Sequence, residues 1–209
     1  MQSIQDIFKE SESIIKIRKK LPGLFHIAEL ESSRAGKIGM EVGSIRERII
    51  VAFLIHKFGE ENVETEIPVT EPEIDVKVFD IPISIKTITG TNPTGVKLIW
   101  TVDAEKSKEF FYSYVPKCDM IYIHINWNNG GGFYFIPKKA QNDILEKIKR
   151  ENYIKLPTPG TNPRGIELSR NAVRELLNHD ITLKIEIDWK KEVLDFKPFK
   201  RWVELWEQE

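Results

Sequence analysis

The chain has 209 residues, 31 basic and 32 acidic side chains, and a formal net charge of −1. A chain of that length buries about 70% of its unfolded surface and needs no staples to hold a core. Its 41% hydrophobic and 30% charged residues exclude extended disorder over most of it. The balanced charge excludes a protein that grips nucleic acid by bulk charge alone. It leaves room for an enzyme that gathers basic residues on one concave face and carboxylates elsewhere. The single cysteine, Cys118, excludes an internal disulfide and a cysteine-based zinc site, and fits a reducing cytoplasm. No apolar run reaches the ~18 residues of a membrane span, and the charged opening MQSIQDIFKESESIIKIRKK does not suit a signal peptide. A cytoplasmic protein without a membrane partner is expected.

In chain order, Ile4, Ile7, Phe8, Ile14, Ile15 and Leu21 fall at helical spacing. This predicts a helix over 3–21 that ends at Pro22-Gly23. Residues 31–43 carry three glycines and read as a loop. Ser44, with Glu47 at capping-box spacing, predicts a helix start, running to about Phe58 and closed by Gly59. From residue 62 the apolar period drops to two. EIDVKVF and ISIKTIT, joined by a tight Asp80-Ile81-Pro82 connection, predict a β-hairpin. GVKLIWTV predicts a strand, 103–114 a helix, CDMIYIHINW and GFYFIP two strands around a glycine turn, and Pro137 a helix start. Residues 152–168 read as a loop, Ser169 as the cap of a helix, ITLKIEID as a late strand, and FKPFKRWVELWEQE as a short helix docked on the body. The order predicts a mixed α/β domain around one central sheet. One segment echoes another: Gly90-Thr91-Asn92-Pro93 and Gly160-Thr161-Asn162-Pro163 each lead into Gly-apolar-charged-Leu. They read either as two similar turns or as paired loops presenting Asn and Arg to a shared ligand.

The chemistry concentrates in the hairpin. If Asp80-Ile81 centre it, Asp75 stands across from Lys86, with Ser84 on the same face. Ile74, Val76, Val78, Ile83 and Ile85 take the other face. A carboxylate, a hydroxyl and an ammonium so converged suit phosphodiester hydrolysis, which calls for a divalent cation, an activated water and positive charge near the phosphate. Asp75 can hold Mg²⁺ through oxygen, the Ile85 carbonyl can add a ligand, and Glu47 can supply a second carboxylate.

These residues resemble the PD-(D/E)xK nuclease superfamily of restriction endonucleases, Holliday-junction resolvases and repair nucleases. Asp75-x8-Ser84-x-Lys86 on a hairpin, after a helix bearing Gly43-Ser44-Ile45-Arg46-Glu47-Arg48, is similar to its core over roughly 43–127. The resemblance implies a PD-(D/E)xK restriction-endonuclease-like fold, with a central mixed sheet flanked by helices. It also implies in-line attack by a metal-activated water, with Glu47, Asp75, Ser84 and Lys86 at the catalytic site and Asp75, Ile85 and Glu47 on the metal. Two positions depart from the pattern. Ile74 stands where the superfamily has proline, and Ser84 where it has an acidic residue. Glu47 is preferred over Glu73 to make up for the latter.

The residues after the core suffice for recognition and dimerisation, which points to a type II restriction endonuclease. The expected layout is a single nuclease domain over 1–209, with an N-terminal helix and loop at 1–42, the catalytic core at 43–127 and a recognition and dimerisation extension at 128–209. Length and motif layout look most like the ThaI type, which implies blunt cutting within CGCG, a homodimer on double-stranded DNA and host protection by a cognate DNA methyltransferase. For DNA contact the candidates are Arg34 and Lys37 on phosphates, Met40 as a wedge between base pairs, Thr87 on the scissile phosphate, and Asn92, Asn162 and Arg164 in the echoed loops. His124 reads as a structural residue. Trp189, Trp202 and Trp206 read either as a dimer interface or as core. A structure-selective nuclease for junctions or repair intermediates is the second enzyme reading. A non-catalytic DNA-binding protein with a degenerate site, marked by Ser84, is the third.

Overall fold

The computed structural model describes residues 2–208 apart from 35–36, 40, 69–70, 72, 102 and 158–164. A 3-10 turn, Ile4–Phe8, precedes helix α1, Ser11–Glu31. Strands β1 (Ser33–Arg34) and β2 (Lys37–Ile38) form a small hairpin, and helix α2 spans Val42–Phe58. There follow β3 (Val63–Glu64), β4 (Val76–Val78), β5 (Ile81–Thr89), β6 (Lys97–Ile99), α3 (Ala104–Ser113), β7 (Asp119–Ile125) and β8 (Gly130–Ile136). The chain continues through α4 (Lys138–Ile148), α5 (Arg150–Tyr153), β9 (Ile154–Lys155), β10 (Ile166–Leu168), α6 (Arg170–Leu177), β11 (Leu183–Asp188) and α7 (Lys200–Glu207).

The main sheet has six strands in the order β11-β8-β7-β5-β4-β3. All its pairs are antiparallel except β5 with β7, so the sheet is mixed and flanked by helices, as expected. Alternation along its strands sends side chains to two faces. On one, Val76, Val78, Ile83, Ile85, Ile121, Ile123, Phe133 and Ile185 meet Ile17, Leu21 and Phe25 of α1 and Ile50 and Leu54 of α2. On the other, Met120, Tyr122, Tyr134 and Ile136 meet α4, α6 and a second sheet of order β6-β10-β9.

Several expectations need correction, and the stretch read as a loop over 31–43 contains β1, β2 and the start of α2. Helix α1 runs through Pro22 and Gly23; burial of Leu21, Pro22, Phe25 and Ala28 outweighs the ~3 kcal/mol that an interior proline costs. Helix α2 starts at Val42 with Glu41 at its N-cap, so Ser44 lies inside the first turn and caps nothing. The stretch read as a loop over 152–168 contains β9 and β10, whose ladder partners are remote in sequence and leave little local signal. The C-terminal helix is not docked: no residue of α7 is buried, although Trp189 just before the tail is fully so.

The echoed segments fold against each other. β6 and β10 pair antiparallel, Ile166 facing Ile99 and Glu167 facing Lys97. A Cβ on Gly95 would fall 1.9 Å from the Leu168 carbonyl oxygen, and one on Gly165 would fall 2.0 Å from that of Ile99. Each copy thus contributes a glycine that lets the other's backbone approach, a local two-fold relation within one chain.

Candidate active site

The hairpin turns on Phe79 and Asp80, both with positive φ, 51° and 62°, as a two-residue turn requires. The register pairs Val76 with Ile83 and Val78 with Ile81, so the turn lies one residue earlier than the sequence suggested. Asp75 consequently stands across from Ser84, and Lys86 is its diagonal neighbour. The long lysine stem still closes the gap. Asp75 Oδ2 accepts from Ser84 Oγ at 3.2 Å, from the Ile85 N–H at 2.6 Å and from Lys86 Nζ at 3.1 Å. Oδ1 accepts no hydrogen bond from the described residues and is free for a further ligand.

The strand β4 begins at Val76 while β5 continues to Thr89. The Asp75 N–H still donates to the Ile83 carbonyl at 2.9 Å, and beyond it the Asp75 carboxylate replaces a strand partner for Ile85. A strand residue points its N–H and C=O to the same side, so the Ile85 carbonyl faces the vacated edge next to Asp75. A cleft of about 370 Å³ opens there, lined by Gly43, Ser44 and Glu47 of α2, by Ile85, Lys86, Thr87 and Ile88 of β5, and by Gly95, Val96, Lys97, Trp100 and Glu167.

Glu47 is half-buried, and its carboxyl is held above the usual range, first by loss of water and second by the Asp75 charge; Lys86 and Arg48 oppose the shift. Two carboxylates that repel across a cleft floor are the donors a hard divalent cation neutralises. No group of three or more His, Cys, Asp or Glu suited to a metal occurs among the described residues. Glu47, Asp75 and the Ile85 carbonyl are the oxygen donors here that could meet a hard divalent cation. Glu73, the alternative to Glu47, is buried, and desolvation pushes its carboxyl up to about 7 against the pull of Lys117 and Lys86. Its charge acts on Tyr114, Tyr153 and Cys118, and it feels Lys86 as well.

Of the expected catalytic set, Ser84, Ile85 and Lys86 meet at Asp75, Glu47 feels the Asp75 charge, and Glu47, Ile85, Lys86 and Thr87 line one cleft. The DNA-contact candidates do not all join it. Asn92 lines a separate groove with Arg170, Arg174 and Lys184. Arg34 and Lys37 are register partners in the β1–β2 hairpin, and Lys37 is exposed. Met40, Asn162 and Arg164 lie outside the described residues. His124 ties the first echoed loop to β7, with Nε2 2.8 Å from the Gly90 carbonyl oxygen, a structural role. Sequence reasoning missed Lys97, Trp100 and Glu167 on the far wall. Lys97 Nζ sits 4.2 Å from the Trp100 ring centre and 3.9 Å from Glu167 Oε1. Their only advance signal was the echo itself, which brings β6 to β10. Also missed was a buried anchor beneath Glu47: Arg46 Nη2 donates to Glu29 Oε1 at 2.6 Å, and Trp127 Nε1 donates to the same oxygen at 2.7 Å.

No curated protein matches the chain. A solved structure described as a restriction endonuclease in complex with substrate DNA is similar at 55% identity and a TM-score of 0.92, over 99% of each chain. The family described as restriction endonuclease ThaI matches residues 7–208. With nearly its whole length matched, the chain belongs to the ThaI restriction endonuclease family and is a type II restriction endonuclease, a site-specific deoxyribonuclease.

Proposed function

We propose that this enzyme uses Mg²⁺ to hydrolyse phosphodiester bonds in both strands of duplex DNA at a short palindromic site. The observation that carries this reading is the convergence of Ser84, the Ile85 N–H and Lys86 on Asp75, beside Glu47, where β4 gives way to an open cleft. A related endonuclease solved with substrate DNA supports duplex DNA as the ligand. The resemblance to the ThaI type further implies blunt cutting within CGCG, and a cognate methyltransferase as the functional partner that protects host DNA.

Asp75 and Glu47 would hold the metal with the Ile85 carbonyl. When bound there, it supplies a Lewis acid that neutralises phosphate charge and acidifies a water. The rest falls to the chain. Ser84 and the Ile85 N–H fix the rotamer of Asp75. Lys86 holds positive charge over the cleft and orients the attacking water. Thr87, on the opposite face of β5, donates to the phosphate. We propose one nuclease domain over 1–209, in which 43–127 carries the chemistry and 128–209 serves recognition and pairing of two copies. A palindrome presents two equivalent strands, and a two-fold pair of chains gives one cleft to each.

The test is digestion of a long linear duplex with Mg²⁺ and with chelator, followed by sequencing of the ends. Discrete fragments, lost in chelator and ending within one palindrome, are expected. Cutting of branched DNA alone would overturn the reading.

A further inference from the structure

Among the described residues, none after Trp189 is buried. Lys191 still anchors on the body, 2.8 Å from Glu29 and over the Trp127 ring. Beyond it, the hydrogen bonds and ion pairs recorded for residues 192–208 stay within the tail: Lys197 with Asp195, Lys200 with Lys197 and Glu204, and Val203 with Phe199. The tail ends in α7, an eight-residue helix. A helix this short is marginal in water unless its apolar face is packed.

That face is well defined. Phe199, Trp202, Val203 and Trp206 recur at helical spacing, and they are 74%, 57%, 51% and 91% exposed. Lys200, Arg201, Glu204, Leu205 and Glu207 occupy the remaining positions, and their charges sum to zero. A neutral polar side does not favour a phosphate backbone, where binding follows excess positive charge. The aromatic face therefore calls for an apolar protein surface, with aromatics enriched as at interface cores.

From these features we infer that the tail is a dimer arm: α7 seats on a second copy of this chain, whose own α7 is covered in return. The inference rests on the palindromic-site reading above, which requires two copies, and it names the segment that joins them. Reach permits it, since residues 190–199 can span up to about 33 Å when extended. Area permits it as well. The three aromatics, at about 150–250 Å² each, and the neighbouring aliphatics offer on the order of 500 Å² per tail. Reciprocal burial of two such tails, with the surfaces that cover them, falls within about 1,200–2,000 Å² for a specific interface.

The experiment is sedimentation velocity on the full-length enzyme and on a Trp202→Ala/Trp206→Ala variant, with Trp206→Glu as a second probe and thermal melts of each. A wild-type dimer is expected, with a dissociation constant that rises at least 100-fold in both variants. Monomer secondary structure should be unchanged, because neither tryptophan touches a buried core. A dimer equally tight in both variants would overturn the arm while leaving the paired-copy reading intact. A wild-type enzyme that stays monomeric on its cleaved site would overturn both.

Discussion

Arg46 donates to Glu29 across 2.6 Å, with the two side chains only 5% and 3% exposed, and the next residue along α2 is Glu47. The pair locks the start of α2 to α1, while Trp127 and Lys191 hold the same carboxylate from the end of β7 and from the tail. Breaking such a pair from one side leaves a buried charge short of a partner and costs about 3–5 kcal/mol. Arg46→Ala should therefore lower the unfolding free energy by about 3 kcal/mol, because Lys191 remains near Glu29. The variant should also lose cleavage rate as Glu47 loses its mooring. Urea melts and single-turnover cleavage measure the two effects. Full stability in Arg46→Ala would show that the pair is not what fixes α2.

Ser84 touches Asp75 through a hydroxyl at 3.2 Å, the longest of the three contacts on that oxygen. The Ile85 N–H and Lys86 keep the carboxylate in place without it. Ser84→Ala should cut the single-turnover rate by on the order of tenfold, the cost of one of three hydrogen bonds to a carboxylate that the other two still hold. A loss comparable to that of Asp75→Asn would make Ser84 a direct participant in the chemistry.

The two-fold relation between β6 and β10 makes a paired prediction. Gly95→Ala and Gly165→Ala each drive a Cβ into a backbone carbonyl of the other strand, at 1.9 Å and 2.0 Å. Each should destabilise the ribbon by more than about 2 kcal/mol and disturb the cleft wall formed by Lys97 and Trp100. Gly165 also has a φ of +113°, so its substitution should cost more. Thermal unfolding ranks them.

Glu73 sets a pH dependence. Its carboxyl is raised to about 7 by burial, so the folded state prefers the protonated form. The unfolded chain ionises near ~4.3. Between these values the unfolded state binds fewer protons, and stability from this group rises as pH falls from about 7 toward ~4.3 and is lost above it. Glu73→Gln should remove the penalty and stabilise the enzyme at pH 8 by on the order of 3–4 kcal/mol, at about 1.4 kcal/mol per pH unit between ~4.3 and about 7. The gain should vanish near pH ~4.3. Melts in chelator across that range measure it. A destabilised Glu73→Gln at pH 8 would mean that the ionised carboxylate is held by partners.

Much of this site was legible in the sequence because strand alternation is local. Asp75, Ser84 and Lys86 were bound to share a face once the hairpin was recognised. Their register was not legible, since it depends on Phe79 adopting positive φ, a conformation its residue type does not announce. The α2 carboxylate was found by resemblance, whereas its anchor Glu29 sits on α1 in a helix that the sequence appeared to end at Pro22. The far wall was hidden for a related reason: Lys97 and Glu167 meet only through the pairing of two short strands distant along the chain. The tail shows the reverse case. Its helix was read correctly, but the structure leaves undocked the face expected to meet the body, because amphipathicity specifies an apolar face without specifying what covers it.

Asp75 and Glu47 together are proposed to hold the catalytic metal. Calorimetric titration of Mg²⁺ into the enzyme, beside Asp75→Asn and Glu47→Gln, with cleavage rates on the same samples, tests it most directly. Saturable binding is expected in the wild type, with loss of both binding and cutting in Asp75→Asn, and weakened binding with at least a tenfold slower rate in Glu47→Gln. Undiminished Mg²⁺ binding and cleavage in Asp75→Asn would contradict it.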